Sequence, residues 1–490
     1  MRSRIVTAAE MRDAEAAAFA KGATPEALMD EAAAGIAAAV SMFFPAPGHC
    51  IVFAGKGNNG GDAFAAAELL QRGGWSIDLR LVYPEAALGE LPRKKLASLR
   101  NAPRPRNSAG ETTIALDGLL GVGAAPPLRD PIRAACREIN RLRSDAGAYV
   151  FALDLPTGLA SDSGEADSDC VIADFTLTIG FAKRGLLADS ALNHVGRIRV
   201  IPLAALSAES NTHNGIVTDR ETLRHLLPRR QFGAYKNQFG RVGIVAGSKG
   251  LTGAALLCSL GALRAGAGLV ELFVPDDIYA VIAASAAPEV MVKPITSYDS
   301  LAEEPIEVWA VGPGLGQLRA DEIRQLIENT QAPMVLDASA LNMIAGDMSA
   351  LLRTAAPRLL TPHPGEMKRI FPHEPRSRAE IATAFCEKYP ATLLFKGSRT
   401  IVAEPGQPLS YNPTGNPGMA TGGMGDVLTG VCAALIAQKL SLYDAARCGA
   451  WLCGRAAEIA IFNGNASEQS LLPSDVLDHL GTATKELHAS

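Results

Sequence analysis

The sequence predicts an α/β protein with two domains, each built on a parallel β-sheet. Short apolar runs typical of buried strands alternate with Ala- and Leu-rich segments of helical periodicity. Glycines and polar residues directly follow most of these runs, as they do at the ligand-binding edge of a doubly wound sheet. Residues 203–214 are rich in Ala, Ser and Asn and separate two such series. We therefore place the domains at residues 1–208 and 215–490.

The first series begins with two predicted helices within residues 8–44, where Ala and charged residues recur at helical spacing and Pro25 opens the second helix. A glycine-rich segment, 55–64, follows the first buried strand and is predicted to be a turn that leads into a helix over residues 65–72. Residues 84–106 combine a charged helix with a loop rich in Pro and Arg. The predicted strands of this series are 49–54, 76–82, 112–116, 148–153, 175–179 and 197–201.

The second series repeats the alternation after residue 215. A small-residue helix is predicted over residues 254–265, and the apolar segment 427–440 is predicted to be a further helix. The predicted strands are 242–246, 269–274, 308–311, 334–336, 358–360, 392–395 and 401–403.

Composition excludes several classes of protein. Of the 490 residues, 48% are hydrophobic and 20% are charged, which is typical of a globular chain. The net charge of −5 and the lack of a basic run argue against nucleic acid and anionic membranes as partners. The first residues are interrupted by acids and Arg and do not form a signal peptide, and the apolar run 32–44 is too short to cross a bilayer. Eight scattered cysteines without a CxxC pair predict buried reduced thiols and a cytoplasmic protein.

Three oxygen-rich motifs follow strands of the first domain. They are the segment NNGGD at residues 58–62, Asp117, and Asp154 with Thr157. Since the carboxyl ends of parallel strands meet at one crevice, these side chains are expected to converge. Amide, carboxylate and hydroxyl oxygens suit a hard cation and sugar hydroxyls rather than zinc. Each motif alone is better explained as a turn or a helix cap, but three at strand ends favour a site.

The segment 412–430, NPTGNPGMATGGMGDVLTG, carries the strongest signal of the second domain. Glycines ahead of a helix let a ligand approach the backbone, and the first-turn N–H groups form a site for anionic oxygens. Asp426 would repel an anion there. It therefore indicates a base that takes a proton from a hydroxyl beside a phosphate, or a group that handles a metal. The alternative is that Asp426 is only a helix N-cap.

The first-domain motifs GKGNNGGDAF, LDGLLGVG and LDLPTGLASDSG resemble those of the NAD(P)H-hydrate epimerase family. The resemblance implies a Rossmann-like domain, a potassium ion at Asn59, Asp117 and Thr157, and Asp117 as a candidate catalytic residue. It also implies that the hydrated nicotinamide cofactor is bound by Asn58, Asn59, Gly60, Gly61, Asp62, Gly121, Val122, Gly123, Ala124, Ala125, Pro126, Pro127 and Asp154.

The second-domain motifs GSKGLTGAALL, GPGLG, TPHPGE, KGSRT and NPGMATGGMGDVL resemble the ADP-dependent NAD(P)H-hydrate dehydratases, which have a ribokinase-like fold. The resemblance implies that the hydrated cofactor is bound by Ala254, Gly314, Gly316, His363 and Asp426. It implies that the nucleotide is bound by Lys396, Gly397, Ser398, Arg399, Thr400 and Gly425. Glu366 falls where related kinases place an acid linked to magnesium.

Taken together, the motifs resemble the fused bifunctional enzyme, both an isomerase and a lyase. Such an enzyme interconverts the R and S epimers of NADHX and NADPHX, the hydrated forms of NADH and NADPH. It dehydrates the S epimer at the expense of ADP, giving AMP and phosphate. The implied cofactors are K⁺ in the first domain and Mg²⁺ in the second, and relatives of this kind imply a homo-oligomer.

The implied chemistry is consistent with the residues. Hydroxide leaves a carbon poorly, whereas a phosphorylated oxygen leaves well with the ring nitrogen supplying electrons. Asp426 would be the catalytic base, and the N–H groups of residues 422–425 would stabilise the transferring phosphoryl group. His363 could instead be a rigid loop residue between prolines, and Lys396 a surface lysine. Asp337 is as consistent with a helix cap as with a ligand contact, so it is not among the candidate catalytic residues.

Two alternative functions remain open at this point. The first is a small-molecule kinase of the ribokinase superfamily with a nucleotide-sensing N-terminal domain, in which the same Asp426 chemistry ends in a stable phosphate ester. The second makes the N-terminal half a binding module without catalysis. Phosphate and AMP as products would distinguish the repair enzyme from the kinase.

Overall fold

Both halves of the chain form mostly parallel β-sheets flanked by helices, which confirms the predicted α/β class. The computed structural model describes residues 4–105, 110–123, 126–206, 215–374 and 376–488. The chain divides into two compact units, Met1–Val217 and Thr218–Ser490. Part of the predicted linker lies outside the described residues. The assignment of one activity to residues 1–208 and another to 215–490 stays a prediction.

The elements of the first unit are as follows. Its strands are β1 (Ile5–Val6), β2 (His49–Ala54), β3 (Ser76–Leu81), β4 (Thr113–Gly118), β5 (Tyr149–Leu153), β6 (Phe175–Ile179), β7 (Ala182–Lys183), β8 (Arg197–Ile201) and β9 (Ile216–Val217). Its helices are α1 (Ala8–Ala20), α2 (Pro25–Phe43), α3 (Asn58–Arg72), α4 (Glu90–Asn101), α5 (Ile132–Ala146) and α6 (Leu192–Val195).

The main sheet of this unit has the strand order β3-β2-β4-β5-β6-β8, and every pairing is parallel. The chain runs outward from β2 to β3 on one side and from β4 onward on the other. Ligands bind where the order of strands reverses in this way, so the crevice between β2 and β4 is the expected site. The six strands predicted for this half are confirmed to within one or two residues.

The glycine-rich segment after β2 differs from the prediction. The helix α3 begins at Asn58, so NNGGD forms the first turns of the helix rather than a loop before it. A Cβ atom on Gly60 would overlap the carbonyl oxygen of Gly55, and one on Gly61 would lie 2.5 Å from Cε of Met29. These glycines therefore allow α3 to pack closely on its neighbours and need not form a turn.

The elements of the second unit complete the fold. Its strands are β10 (Arg241–Val245), β11 (Leu269–Pro275), β12 (Val290–Ile295), β13 (Val308–Val311), β14 (Met334–Leu336), β15 (Arg358–Leu360), β16 (Thr392–Phe395), β17 (Ile401–Ala403) and β18 (Ser410–Tyr411). Its helices are α7 (Arg220–Leu223), α8 (Thr252–Arg264), α9 (Asp276–Ser285), α10 (Ala320–Asn329), α11 (Ser339–Ile344), α12 (Ala350–Arg353), α13 (Pro364–Ile370), α14 (Arg378–Lys388), α15 (Met424–Ala437), α16 (Leu442–Phe462) and α17 (Pro473–His488).

The sheet of the second unit has the order β12-β11-β10-β13-β14-β15-β16-β17-β18. The pairings from β12 to β16 are parallel, and those of β17 with β16 and β18 are antiparallel. The sequence did not predict β12, which contains Pro294 and is only partly buried. Proline is tolerated in a sheet at its edge, and β12 lies at the edge.

The structure tests two expectations drawn from the composition, on cysteines and on membrane-spanning segments. All eight cysteines are buried and free, which confirms the prediction of reduced thiols. Among the described residues, no helix combines the length and the apolarity that crossing a membrane requires.

Helices α8 and α15 approach each other through glycine. A Cβ atom on Gly261 would lie 2.5 Å from the carbonyl oxygen of Val427, and one on Gly430 would overlap the carbonyl oxygen of Cys258. The two helices therefore meet backbone to backbone, with no side chain between them at these positions.

We expect Gly430→Ala to destabilise the second unit by about 1–3 kcal/mol, because the added methyl group forces α8 and α15 apart. Gly481→Ala in α17 is the matched control, since no atom lies within 4 Å of its added Cβ and alanine is the better helix former. Chemical denaturation of both variants measures the difference. Equal stability of the two variants would contradict backbone contact between the helices.

Candidate active sites

The crevice of the first unit brings together three residues that the sequence predicted as cation ligands. Asp117 lies near the end of β4 and is fully buried, and its carboxylate accepts hydrogen bonds from Thr157 N (2.8 Å) and Thr157 Oγ1 (2.7 Å). Asn59, in the first turn of α3, donates from Nδ2 to Leu120 O (2.9 Å) and Leu153 O (3.2 Å). Leu120 N in turn donates to Thr157 Oγ1 at 3.2 Å. The three side chains are thus linked through the loops after β4 and β5.

The electrostatics of this set suit a cation. Burial raises the pKa of Asp117 to about 6, although hydrogen bonds from Thr157 and Leu119 act to lower it. The amide oxygen of Asn59 is buried and has no hydrogen-bond partner among the described residues. An unpartnered buried oxygen near a buried carboxylate and a hydroxyl fits a hard cation, which takes oxygen ligands and offsets the cost of burying negative charge.

Asp154 lies in the same crevice in an unusual backbone conformation, with φ of 68°. Its Oδ2 accepts a hydrogen bond from Val122 N at 3.3 Å, and its Oδ1 accepts one from Ile179 N at 3.3 Å. A Cβ atom on Gly121 would lie 3.2 Å from Oδ2 of Asp154 and 3.7 Å from Cβ of Asn59. The loop that begins at Gly121 therefore passes directly between the two predicted binding segments.

The other predicted binding residues of this unit lie in the same two segments. Asn58, Gly60, Gly61 and Asp62 are in the first turns of α3, and Gly123, Pro126 and Pro127 continue the loop after β4. Ala124 and Ala125 lie outside the described residues.

Sequence reasoning missed Lys183, a fully buried lysine that follows β6. Its ammonium group donates to Asp154 Oδ1, to Thr178 Oγ1 (3.2 Å) and to Ile179 O (2.8 Å). The only signal in the sequence was a lysine four residues after the end of the predicted strand 175–179, which is too common to identify a site.

In the second unit, the loops after β10, β13, β14, β15 and β16 lie along one edge of the sheet. Lys396 follows β16, and its ammonium group donates to Asp337 Oδ1 at 2.7 Å and lies 4.0 Å from Glu366 Oε2. Thr429 Oγ1 donates to the other oxygen of Asp337 at 2.9 Å. Lys396 is therefore not a surface lysine, and Asp337 belongs to the centre of the site although the sequence left it aside.

Asp426 lies in the first turn of α15, behind Gly423, which is the N-cap residue and has φ of 95°. Asp426 is therefore not the N-cap. Burial, and then the negative charge of Asp337, raise the pKa of Asp426 to about 7 against the lowering effect of Lys396. A carboxyl with this pKa can both accept and return a proton near neutral pH.

Gly425 and Lys396 adjoin, as expected for residues that hold one nucleotide. A Cβ atom on Gly425 would lie 3.1 Å from Nζ of Lys396 and 3.3 Å from Oδ2 of Asp337. Burial lowers the pKa of Lys396, but the carboxylates of Asp337 and Glu366 outweigh burial and raise it. Its ammonium group thus stays charged for an anionic ligand. The predicted residues Gly397, Ser398, Arg399 and Thr400 form the turn between β16 and β17.

The predicted substrate residues form a neighbouring group. A Cβ atom on Gly314 would lie 2.9 Å from Cβ of Ala254, and one on Gly316 would lie 3.5 Å from Oγ of Ser248, whose hydroxyl donates to Gly314 O. His363 is the N-cap of α13, where its Nδ1 accepts from Gly365 N (3.0 Å) and Glu366 N (3.4 Å). The histidine therefore has a capping role, and its half-exposed ring adjoins Glu366.

Comparison with known proteins shows the family of this chain. Residues 242–480 match the family model described as NAD(P)H-hydrate dehydratase, and residues 25–185 match the model described as YjeF-related protein N-terminus. The bifunctional NAD(P)H-hydrate repair enzyme of Moorella thermoacetica is 33% identical over 99% of this chain and 97% of its own length. The chain belongs to the family of bifunctional NAD(P)H-hydrate repair enzymes.

Two further proteins are similar to all or part of this NAD(P)H-hydrate repair enzyme. The Escherichia coli bifunctional NAD(P)H-hydrate repair enzyme is 34% identical over 85% of this chain and 81% of its own length. The ADP/ATP-dependent NAD(P)H-hydrate dehydratase from Bacillus subtilis, co-crystallised with ATP and Mg²⁺, has a TM-score of 0.50 at 29% identity. That alignment covers 56% of this chain and 99% of the other.

These findings confirm the predicted family, the bifunctional repair function and the pairing of a Rossmann-like unit with a ribokinase-like one. They favour the repair function over the kinase alternative. The roles of individual site residues stay predictions.

Because Asp426 is buried, we expect the stability of the second unit to depend on pH. Its pKa of about 7 lies above the ordinary value of 3.8, so the unfolded chain ionises first and stability is lost as pH rises from 4 to 7. We expect Asp426→Asn to stabilise the second unit by about 1–2 kcal/mol more at pH 8 than at pH 5, after allowing for solvent screening.

Chemical denaturation at the two pH values checks this prediction. Asp321→Asn is the control, because that carboxylate is exposed in α10, where it pairs with the neighbouring Arg324. The same effect of Asp426→Asn at both pH values would contradict the raised pKa.

Proposed function

We propose that this enzyme interconverts the epimers of NADHX and NADPHX in its first unit and dehydrates the S epimer in its second, with ADP as phosphoryl donor. One observation above all supports the second activity. A carboxylate with a pKa of about 7, Asp426, lies in the first turn of α15 among Asp337, Lys396 and Gly425. That arrangement pairs a base with an anion site.

The dehydration begins with the hydroxyl on the ring carbon beside the nicotinamide nitrogen. Asp426 accepts the hydroxyl proton, and the oxygen attacks the terminal phosphorus of ADP, whose bond to the bridging oxygen breaks to release AMP. The ring nitrogen then supplies electrons as the carbon–oxygen bond to phosphate breaks. Loss of a proton from the adjacent ring carbon restores the dihydronicotinamide.

The other residues hold the phosphate and the base in place. The N–H groups of the first turn of α15 and the ammonium group of Lys396 stabilise the negative charge that moves during phosphoryl transfer. Asp337 holds Lys396 and is itself held by Thr429, so the lysine is fixed beside Gly425. Asp337 also raises the pKa of Asp426, which makes that carboxylate a better base.

We propose that magnesium and the nucleotide bind in this same region. Nucleotide sites commonly hold Mg²⁺ by one or two carboxylates together with phosphate oxygens, and Glu366 offers a buried carboxylate next to Lys396. When bound, the ion would neutralise phosphate charge. The Bacillus subtilis relative is named as ADP/ATP-dependent and was crystallised with ATP and Mg²⁺, which supports nucleotide and Mg²⁺ use; ADP as donor is our proposal.

In the first unit we assign Asn59, Asp117 and Thr157 to a potassium site. The unpartnered oxygen of Asn59 and the buried carboxylate of Asp117 support the assignment. The ion would supply a fixed positive charge beside the bound cofactor. Asn58–Asp62, the loop from Gly121 and Asp154 would contact the cofactor.

The proposal also covers the small-molecule partners, the oligomeric state and the cellular compartment of the enzyme. Its partners are the small molecules NADHX, NADPHX and ADP, and we propose that it acts as a homo-oligomer in the cytoplasm. Eight buried free thiols are consistent with a reducing compartment.

We expect Asp426→Asn to lower the rate of ADP-dependent conversion of the S epimer to NADH by at least about 100-fold, because the general base is lost. The wild-type rate should fall as pH drops through about 7, where Asp426 becomes protonated. Absorbance of restored NADH measures both effects. Epimerisation, followed by chromatography without ADP, should be unchanged, as should both activities of Asp321→Asn. Loss of epimerisation in Asp426→Asn would contradict separate sites.

We expect Asp117→Asn or Asn59→Ala to prevent use of the R epimer while the S epimer is still dehydrated, because the cation site lies in the first unit. Incubation with the pure R epimer, ADP and Mg²⁺ tests this, with Asp145→Asn at the exposed end of α5 as the control. An Asp117→Asn enzyme that equilibrates the epimers at the normal rate would refute the assignment.

A further inference from the structure

A buried lysine adds a second charged group to the crevice of the first unit. Lys183 is completely buried, although lysine is seldom buried without a partner. Its ammonium group is saturated by Asp154, Thr178 Oγ1 and Ile179 O. Asp154 itself is held by Val122 N and Ile179 N. The donors on Lys183, Val122 and Ile179 hold the Asp154 carboxylate beside Gly121, in the loop after β4.

A second carboxyl lies on α3, whose first turn contacts the residue before Asp154 through Asn59 Nδ2 and Leu153 O (3.2 Å). Asp62 is one turn after Asn59, and its carboxyl makes no hydrogen bond with any described residue. Burial, and then the negative charges of Asp154 and Glu15, raise the pKa of Asp62 well above its ordinary value, while Lys183 lowers it. Burial likewise raises the pKa of Glu15 on α1, where Lys183 and Arg12 act against it.

The two aspartates are therefore in opposite situations. Asp154 has a fixed positive partner and several donors, which suit a carboxylate, whereas Asp62 has neither and suits a neutral carboxyl. Pairs of carboxyl groups whose surroundings differ in this way commonly divide into an acid and a base.

We propose that Asp62 and Asp154 are the proton donor and proton acceptor of the epimerase reaction, and that Lys183 is the positioning residue that holds the Asp154 carboxylate in place. The proposal rests on the proposed epimerase function of the first unit. It extends that function, because Asp62 and Asp154 were assigned only to substrate binding and Lys183 had no role.

The reaction balances as follows. The ring nitrogen forms a double bond to the hydroxyl-bearing carbon as the carbon–oxygen bond breaks, and the Asp62 proton passes to the leaving oxygen, which departs as water. Water then adds to the opposite face of that carbon, and the double-bond electrons return to nitrogen. Asp154 takes the proton that this water loses. Transfer of a proton from Asp154 to Asp62 restores the starting state, and the reverse reaction follows the same steps backwards.

The test uses the full-length enzyme and the pure R epimer of NADHX without ADP, so that the dehydratase reaction cannot proceed. Epimerisation is followed by chromatography in wild type, Lys183→Met, Asp62→Asn and the control Lys21→Met, which alters an exposed lysine at the end of α1. Steady-state rates are measured across pH, and thermal unfolding reports whether each variant is folded.

We expect Lys183→Met to lower kcat by about 100-fold or more with KM changed only a few-fold, because positioned acid–base groups contribute about 10²–10⁴. Since Lys183 lowers the pKa of Asp62, the alkaline limb of the remaining activity should move to higher pH. A lysine with only a structural role would leave that limb in place. Asp62→Asn should lose the alkaline limb together with most of kcat, and Lys21→Met should match wild type.

Removing one partner of a buried ion pair can unfold a protein, and in that case Asp62→Asn decides, since Asp62 forms no ion pair with any residue that the structure describes. An Asp62→Asn enzyme that keeps the wild-type rate and pH profile would overturn the proposal. So would a folded Lys183→Met enzyme with an unmoved alkaline limb. Wild-type enzyme that leaves the R epimer unchanged would instead refute the proposed epimerase function.

Discussion

The cost of burying a carboxylate is the constraint on which both units of this enzyme depend. Each parallel sheet places acidic side chains at its carboxyl edge, where low polarity makes a lone negative charge expensive. In the second unit, Lys396 and Thr429 satisfy Asp337, and Asp426 is left with a raised pKa. In the first unit, Thr157 satisfies Asp117 and Lys183 satisfies Asp154. In each unit, the polar partners therefore hold the buried carboxyl groups in fixed positions.

The sequence was informative where a residue signals its environment through its neighbours in the chain. Buried strands appear as apolar runs, and Asp117 and Asp426 stand beside glycines at the ends of predicted elements. It was uninformative about partners that only the folded chain brings together. Lys183 is 29 residues from Asp154 in the sequence, and Lys396 is 59 residues from Asp337. No local sequence pattern predicts either pair.

Local packing also explains why two segments, the glycines after β2 and the strand β12, differ from the prediction. The glycines after β2 looked like a turn, but they lie in a helix that needs small residues to approach its neighbours. The edge strand β12 was missed because its proline and partial exposure weaken the apolar signal on which strand prediction depends. In both cases the tertiary neighbour, and not the propensity of the segment, determined the conformation.

The glycine contact between α8 and α15 has a consequence for selectivity. Ala254 lies near the beginning of α8 and Asp426 near the beginning of α15. The residue proposed to contact the ring and the proposed base therefore belong to two helices that are in backbone contact. No side chain separates the two helices at these positions, so side-chain rotation cannot change the distance between them there. If the hydrated cofactor binds between these helix ends, as we propose, the site cannot widen by side-chain rotation at this contact, which favours one epimer of the hydroxyl-bearing carbon over the other.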